Sequence, residues 1–141
     1  INMWQSSKTI DNAVRAVTPG GVMLWLTCCS DGLGAEEFAT ALKEGGDKQH
    51  TEDLMRRKFT IGALVTYVIQ KHASRCRVLI VTALEERHCR QLGLERVRSA
   101  AEGLRAAHAQ LGRTPATYVM PHGGSVVPVL RRQPARAVAA G

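Results

Sequence analysis

Apolar side chains in the first third of the chain recur with two different periods, and the change of period marks the elements. Ile10, Ala13, Val14 and Val17 fall at i, i+3, i+4 and i+7, which predicts an amphipathic helix over 8–17. Pro19-Gly20-Gly21 ends it, because proline has no amide proton to donate and the glycines suit a turn. Residues 22–29 then read Val-Met-Leu-Trp-Leu-Thr-Cys-Cys, a continuous apolar stretch that predicts a strand buried on both faces, the signature of a parallel sheet. Ser30-Asp31-Gly32-Leu33-Gly34 is a turn, a helix follows over 35–43, and Gly45-Gly46-Asp47 breaks it. A longer helix is expected over 51–72, opened by the acidic turn Thr51-Glu52-Asp53.

The second half repeats the alternation. Residues 77–82 are rich in β-branched side chains and predict a second strand. A short helix is expected over 85–92 and a strong one over 94–111, where Leu94, Val97, Ala101, Leu104, Ala107 and Leu111 share one face. Pro115 precedes a third strand over 116–120, which Pro121-His122-Gly123-Gly124 terminates. The end of the chain is rich in Ala, Arg and Pro, and 133–141 reads as a flexible tail. Strands alternating with helices place residues 1–132 in the α/β class. The expected architecture is a three-layer, Rossmann-like domain with a small, mainly parallel sheet flanked by helices.

Composition narrows what such a domain can do. The chain has 141 residues, 45% apolar and 22% charged, which suits one folded domain and excludes general disorder, collagen and coiled coil. No apolar stretch approaches the ~20 residues of a membrane span, so no membrane partner is expected. The net charge is +7, unevenly spread: residues 1–53 carry four basic and eight acidic groups, residues 54–141 fifteen and four. A basic half can serve nucleic acid, an anionic ligand or an acidic partner. With only two each of Phe, Trp and Tyr there is little to stack on bases, and no nucleic acid partner is expected. Cys28, Cys29, Cys76 and Cys89 form no C-x-x-C and read as buried, reduced thiols of a cytoplasmic protein. The opening Ile1-Asn2 resembles mid-protein sequence, and the chain is read as one domain of something longer.

In an open parallel sheet, ligands bind beyond the carboxyl ends of the strands. Ser30-Asp31-Gly32-Leu33-Gly34 is the most suggestive such end, since a glycine turn leading into a helix N-terminus can approach an anion. It can equally be a plain turn with Ser30 or Asp31 as cap, and it completes neither G-x-G-x-x-G nor a Walker motif. Five histidines are scattered without metal-ligand spacing, so no metal site is expected. His72, His88 and His108 lie on helices and are expected at the surface, whereas His122 sits at a strand end beside two glycines. If residues 4–11 are helical, Trp4, Lys8 and Asp11 share a face, with Gln5 beside Lys8. That groups an aromatic plate, an amide and an ammonium around a small hydroxy acid. The plainer reading makes Ser7 a cap, Trp4 a hydrophobic staple and Lys8 a solvated side chain.

Three groups of residues together resemble the C-terminal domain of the nickel-pincer lactate racemase family. They are Trp4-Gln5-Ser6-Ser7-Lys8 with Asp11-Asn12-Ala13; Ser30-Asp31-Gly32-Leu33-Gly34 with Glu37-Phe38; and Met120-Pro121-His122-Gly123-Gly124 before Pro128-Val129-Leu130. The resemblance implies a two-domain protein with its site in the interdomain cleft. The N-terminal domain would carry the nickel-pincer nucleotide, its nickel-binding histidine and the acid/base histidines. Hydride would pass from C2 of a 2-hydroxy acid to the nucleotide and return to either face. Within this chain the resemblance assigns Lys8 and Gln5 as the catalytic candidates, by orientation and charge stabilisation, with Trp4 as a wall. Ser30, Asp31, Gly32, Gly34, His122 and Gly123 are the substrate-binding candidates. The family position of Trp4 is often Tyr, so a hydroxyl is missing here, and no residue matches the cofactor lysine or nickel histidine. Two competing readings remain: a stand-alone Rossmann-like module binding an anionic or phosphorylated small molecule at Gly32 and Gly34, and a nucleic-acid or scaffold module acting through the arginines of residues 54–141.

Overall fold

The computed structural model describes residues 1–129; Leu130, Arg131 and Arg132 and the expected tail over 133–141 lie outside the described residues. The architecture is α/β. A three-stranded, wholly parallel sheet in the order β1-β2-β3 comprises β1 (Val22–Leu26), β2 (Arg77–Val81) and β3 (Glu95–Arg96). The register pairs Leu24 with Leu79 and Ile80 with Arg96. Helices α1 (Met3–Ala13), α2 (Glu36–Gly45) and α4 (Ile61–Ala73) cover one face, α3 (Lys48–Arg57) packs outside them, α5 (Glu86–Gln91) leads into β3, and α6 (Ala100–Leu111) lies against β1 and β2. Met23, Trp25, Val78 and Ile80 of the sheet meet Met3, Ile10, Phe38, Leu42 and Ile69 of the helices in one core. Complete burial of a side chain such as Phe38 contributes about 2–3 kcal/mol.

Each departure from the expected elements has a local cause. The first helix begins at Met3 rather than residue 8, because Asn2 caps it: its Oδ1 accepts the Gln5 amide at 3.0 Å. Ser7 is not the cap; its hydroxyl donates to the Trp4 carbonyl inside the helix. The expected long helix over 51–72 is two helices. Asp47 caps α3 through the His50 amide, Lys58 turns extended, and Thr60 caps α4 through the Ala63 amide. The helix expected over 94–111 is divided by Ser99, which caps α6 through the Glu102 amide, while the Glu102 carboxylate accepts the Arg98 amide. Ahead of that cap, Leu94 and Val97 are buried on either side of β3. β1 ends at Leu26, which is 59% exposed, so the strand is not buried on both faces.

The third strand expected over 116–120 does not form. Gln110 Nε2 donates to the Gly20 carbonyl at the amino end of the sheet, and Gly123 lies against Thr9 and Asn12 of α1. The chain between these anchors runs outside the ladder, with Tyr118 and Val119 exposed. The two-residue β3 takes its place as third strand.

Candidate functional site

α1 begins at the carboxyl end of the sheet, where Ser6 meets Thr27, and runs along one face toward the amino end, where Asp11 meets His72 in the last turn of α4. Beneath its first turn, Gly32 and Leu33 accept the Met3 and Trp4 amides at 3.0 and 3.1 Å. With Asn2 accepting from Gln5 and Ser6, all four N-terminal amides of α1 have partners, so this helix end offers nothing to an anion. In the middle of the helix, Ser6 Oγ and Thr27 Oγ1 are 2.8 Å apart, which fixes α1 on the end of β1. Toward its C-terminus, Asn12 Nδ2 donates to the Gly123 carbonyl at 3.0 Å, and Gly123 packs against Thr9. The end of β2 joins through Thr82, whose hydroxyl donates to the Cys28 carbonyl at 3.1 Å.

Trp4 is half-buried and meets Phe38 edge-on, with ring centroids 6.0 Å apart, a contact worth about 0.5–1.5 kcal/mol. The contact sets the indole against α2. Gln5 and Lys8 are exposed one helical turn apart, on the stripe that Asn12 continues toward the Gly123 turn. Among the described residues Lys8 makes no ion pair. Ser30 and Asp31 are exposed and paired with each other, Ser30 Oγ donating to Asp31 Oδ1 at 3.0 Å. His122 is exposed, and its carbonyl accepts the Ser125 amide that closes the turn. Gly32 is half-buried and Gly123 buried, both engaged through their carbonyls with α1, and Gly34 is exposed. The predicted residues thus surround one helix rather than lining a closed cavity. A cleft of about 260 Å³ between α2 and α3 contains none of them, and its Glu36, Glu37 and Glu44 do not suit an anion.

The glycine turn leads into α2, whose first turn carries Glu36 and Glu37, with Glu37 Oε1 accepting the Gly62 amide at 3.0 Å. Two carboxylates at a helix N-terminus satisfy its dipole and repel phosphate. Two further expectations are corrected. His72 is buried, not at the surface, with Nε2 2.8 Å from Asp11 Oδ1. Cys28 is exposed, while Cys29, Cys76 and Cys89 are buried as free thiols. Burial pushes the Cys76 and Cys89 thiols up, which keeps them protonated and unreactive.

Sequence reasoning missed Asn2, although Asn-x-x-Gln is a capping signature, and missed the anchoring role of Asn12 and Asp11. Ser6 and Thr27 carry no local signal, since their contact joins residues far apart in the chain. Among the described residues no group of three or more His, Cys, Asp and Glu side chains is placed to hold a metal ion. No helix there is long and apolar enough to cross a membrane.

Helix layers on a small parallel three-stranded sheet define a Rossmann-like α/β domain. Residues 1–128 match the family described as the lactate racemase C-terminal domain, and the chain belongs to that family. Its fold is similar to that of the lactate racemase apoprotein from Thermoanaerobacterium thermosaccharolyticum, with a TM-score of 0.74 and 22% identity. That likeness covers 89% of this chain but only 31% of the other, so the chain spans about a third of the longer protein. No curated protein matches the chain significantly.

Proposed function

We propose that this chain is the substrate-side domain of a 2-hydroxy-acid racemase or epimerase of the lactate type. The observation that carries the reading is the face of α1. An unpaired ammonium and an amide stand one turn apart, framed by an indole and the Gly123 turn, in a chain of the lactate racemase C-terminal family. Lys8 is placed to hold the carboxylate of the substrate and to stabilise negative charge on its C2 oxygen. Gln5 orients the hydroxyl, and Trp4 limits the room beside it. Such groups act by orientation and preorganised electrostatics. Ser30, Asp31 and His122 form the outer rim.

The reaction proposed for the complete protein is inversion at C2, and taking up and returning hydride is the chemistry that a nickel-pincer nucleotide would supply. The described residues of this chain do not fit that group, since they provide no cluster of metal ligands. The nucleotide is therefore assigned to a separate cofactor-bearing N-terminal domain, and this chain contributes binding and orientation in a cytoplasmic enzyme. The alternative, a stand-alone module for a phosphorylated small molecule, draws little support from a glycine turn committed to α1 and a following helix that starts with two glutamates.

The test is the intact mass and nickel content of the natural full-length protein, together with racemisation of 2-hydroxy acids. A nucleotide adduct with bound nickel and turnover is expected. A metal-free, adduct-free protein without turnover would return weight to the binding module.

A further inference from the structure

Lys8 and Asp11 occupy positions i and i+3 of α1, close enough that a lysine and an aspartate there ordinarily attract each other. They do not pair, because Asp11 is engaged elsewhere: its Oδ1 lies 2.8 Å from Nε2 of His72, in the last turn of α4. An ionised carboxylate can only accept, so Nε2 carries the proton and donates it. The other ring nitrogen, Nδ1, is buried without a partner. An unpartnered buried acceptor is unfavourable, and an apolar residue of similar size would avoid the loss. Gln70 of the same helix also has a buried atom without a partner, Oε1, but its Nε2 donates to the Gly46 and Gln91 carbonyls at 2.9 and 2.8 Å. The bond that His72 makes in return is the one to Asp11.

We infer that His72 is a positioning residue, which holds the Asp11 carboxylate toward α4 and so leaves the Lys8 ammonium unpaired. The buried partner supplies the stiffness: the His72 side chain is 10% exposed and the Asp11 side chain 49%. The consequence for substrate rests on the function proposed above, because an ammonium already neutralised by Asp11 would bind an anionic hydroxy acid poorly. The local arrangement itself can be tested without that function.

The probe is acetic anhydride, with the acetylation rate of Lys8 read by peptide mass spectrometry in the full chain and exposed Lys43 as internal reference. In His72→Leu the freed Asp11 pairs with Lys8, and the relative rate falls at least twofold. His72→Gln retains an N–H donor and keeps the wild-type rate. His72→Leu/Asp11→Asn removes the competing charge and restores the rate. An unchanged rate in His72→Leu, or no recovery in the double variant, overturns the inference. If His72→Leu does not fold, Asp11→Asn decides alone, since asparagine still accepts from His72. An unchanged Lys8 rate is then expected, and a twofold rise would show that Asp11 already pairs with Lys8 in the wild type. Where full-length protein turns over a hydroxy acid, His72→Leu raises KM at least threefold with a smaller change in kcat, and Asp11→Asn reverses it. Absence of turnover in the wild type would instead count against the proposed reaction and leave the acetylation result standing.

Discussion

The Cβ that Gly34 lacks would stand 2.7 Å from Cγ of Asn2, the residue whose Oδ1 caps α1. The glycine turn and the helix cap are therefore fitted to each other, and the turn holds up the helix that carries Lys8. Gly34 also sits at φ +97°, which side chains rarely adopt, whereas Gly32, at φ +64°, has open space around its missing Cβ. Gly34→Ala is expected to lower unfolding free energy by about 3 kcal/mol, from strain and collision together. Gly32→Ala should cost only the backbone strain, about 1–2 kcal/mol. Denaturant unfolding of both variants checks the ordering; equal losses would remove the Asn2 contact from the explanation.

Lys8 is exposed and unpaired among the described residues, so truncating it leaves the fold alone. Lys8→Ala should change stability by no more than about 0.5 kcal/mol. In full-length protein the same change should lower kcat at least ~100-fold, as removal of a preorganised charge-stabilising group does. Thermal unfolding and turnover measured on one preparation separate the two. Near-normal turnover would take Lys8 out of the site.

Asn12 ties the His122 turn to α1 through one hydrogen bond of 3.0 Å to the Gly123 carbonyl. Asn12→Ala should cost about 1 kcal/mol. Its distinctive effect is local: amide hydrogen exchange at 122–125 should quicken several-fold while the β1 and β2 amides keep their protection. Unaltered exchange in the turn would mean that the Gly123 packing on Thr9 holds it unaided.

One thiol of four should be reactive. Cys28 is exposed and should be alkylated in native protein, whereas Cys29, Cys76 and Cys89 should require unfolding. Burial raises the folded-state values of Cys76 and Cys89 above the ordinary value of 9.0, so the folded protein prefers their neutral form. The stability this preference confers is complete below the unfolded value and is lost as pH rises above about 9, where the unfolded thiols ionise first. Melting temperature measured from pH 7 to 10.5 should decline at the alkaline end, and Cys76→Ala/Cys89→Ala should flatten that decline. Rapid labelling of three or four thiols in native protein would contradict this account of the core.

Much of the fold was legible before any coordinate. β1 and β2 were visible because a parallel strand must be apolar along its length, and α1, α2 and α5 because turn residues bracket each of them. The errors came where periodicity overrode a capping residue. Thr60 and Ser99 each stand at a helix start inside an otherwise helical apolar pattern, and each divides it. The strand expected over 116–120 is a different miss: among the described residues β1 pairs only with β2, and 116–120 adds no strand to its open edge.

The sequence by itself determined the α/β class, the turn at Gly32 and Gly34, and the grouping of Gln5 and Lys8, because these follow from periodicity, glycine chemistry and helical spacing within a few residues. Only the tertiary structure decided that α1 runs along one face from the end of β1, that Asn12 reaches Gly123, and that Asp11 turns to His72 and leaves Lys8 alone. Those contacts join residues up to 111 positions apart, between polar side chains that obey no local period. Their partners are chosen by where the packed helices and sheet bring them, and that is a property of the whole fold.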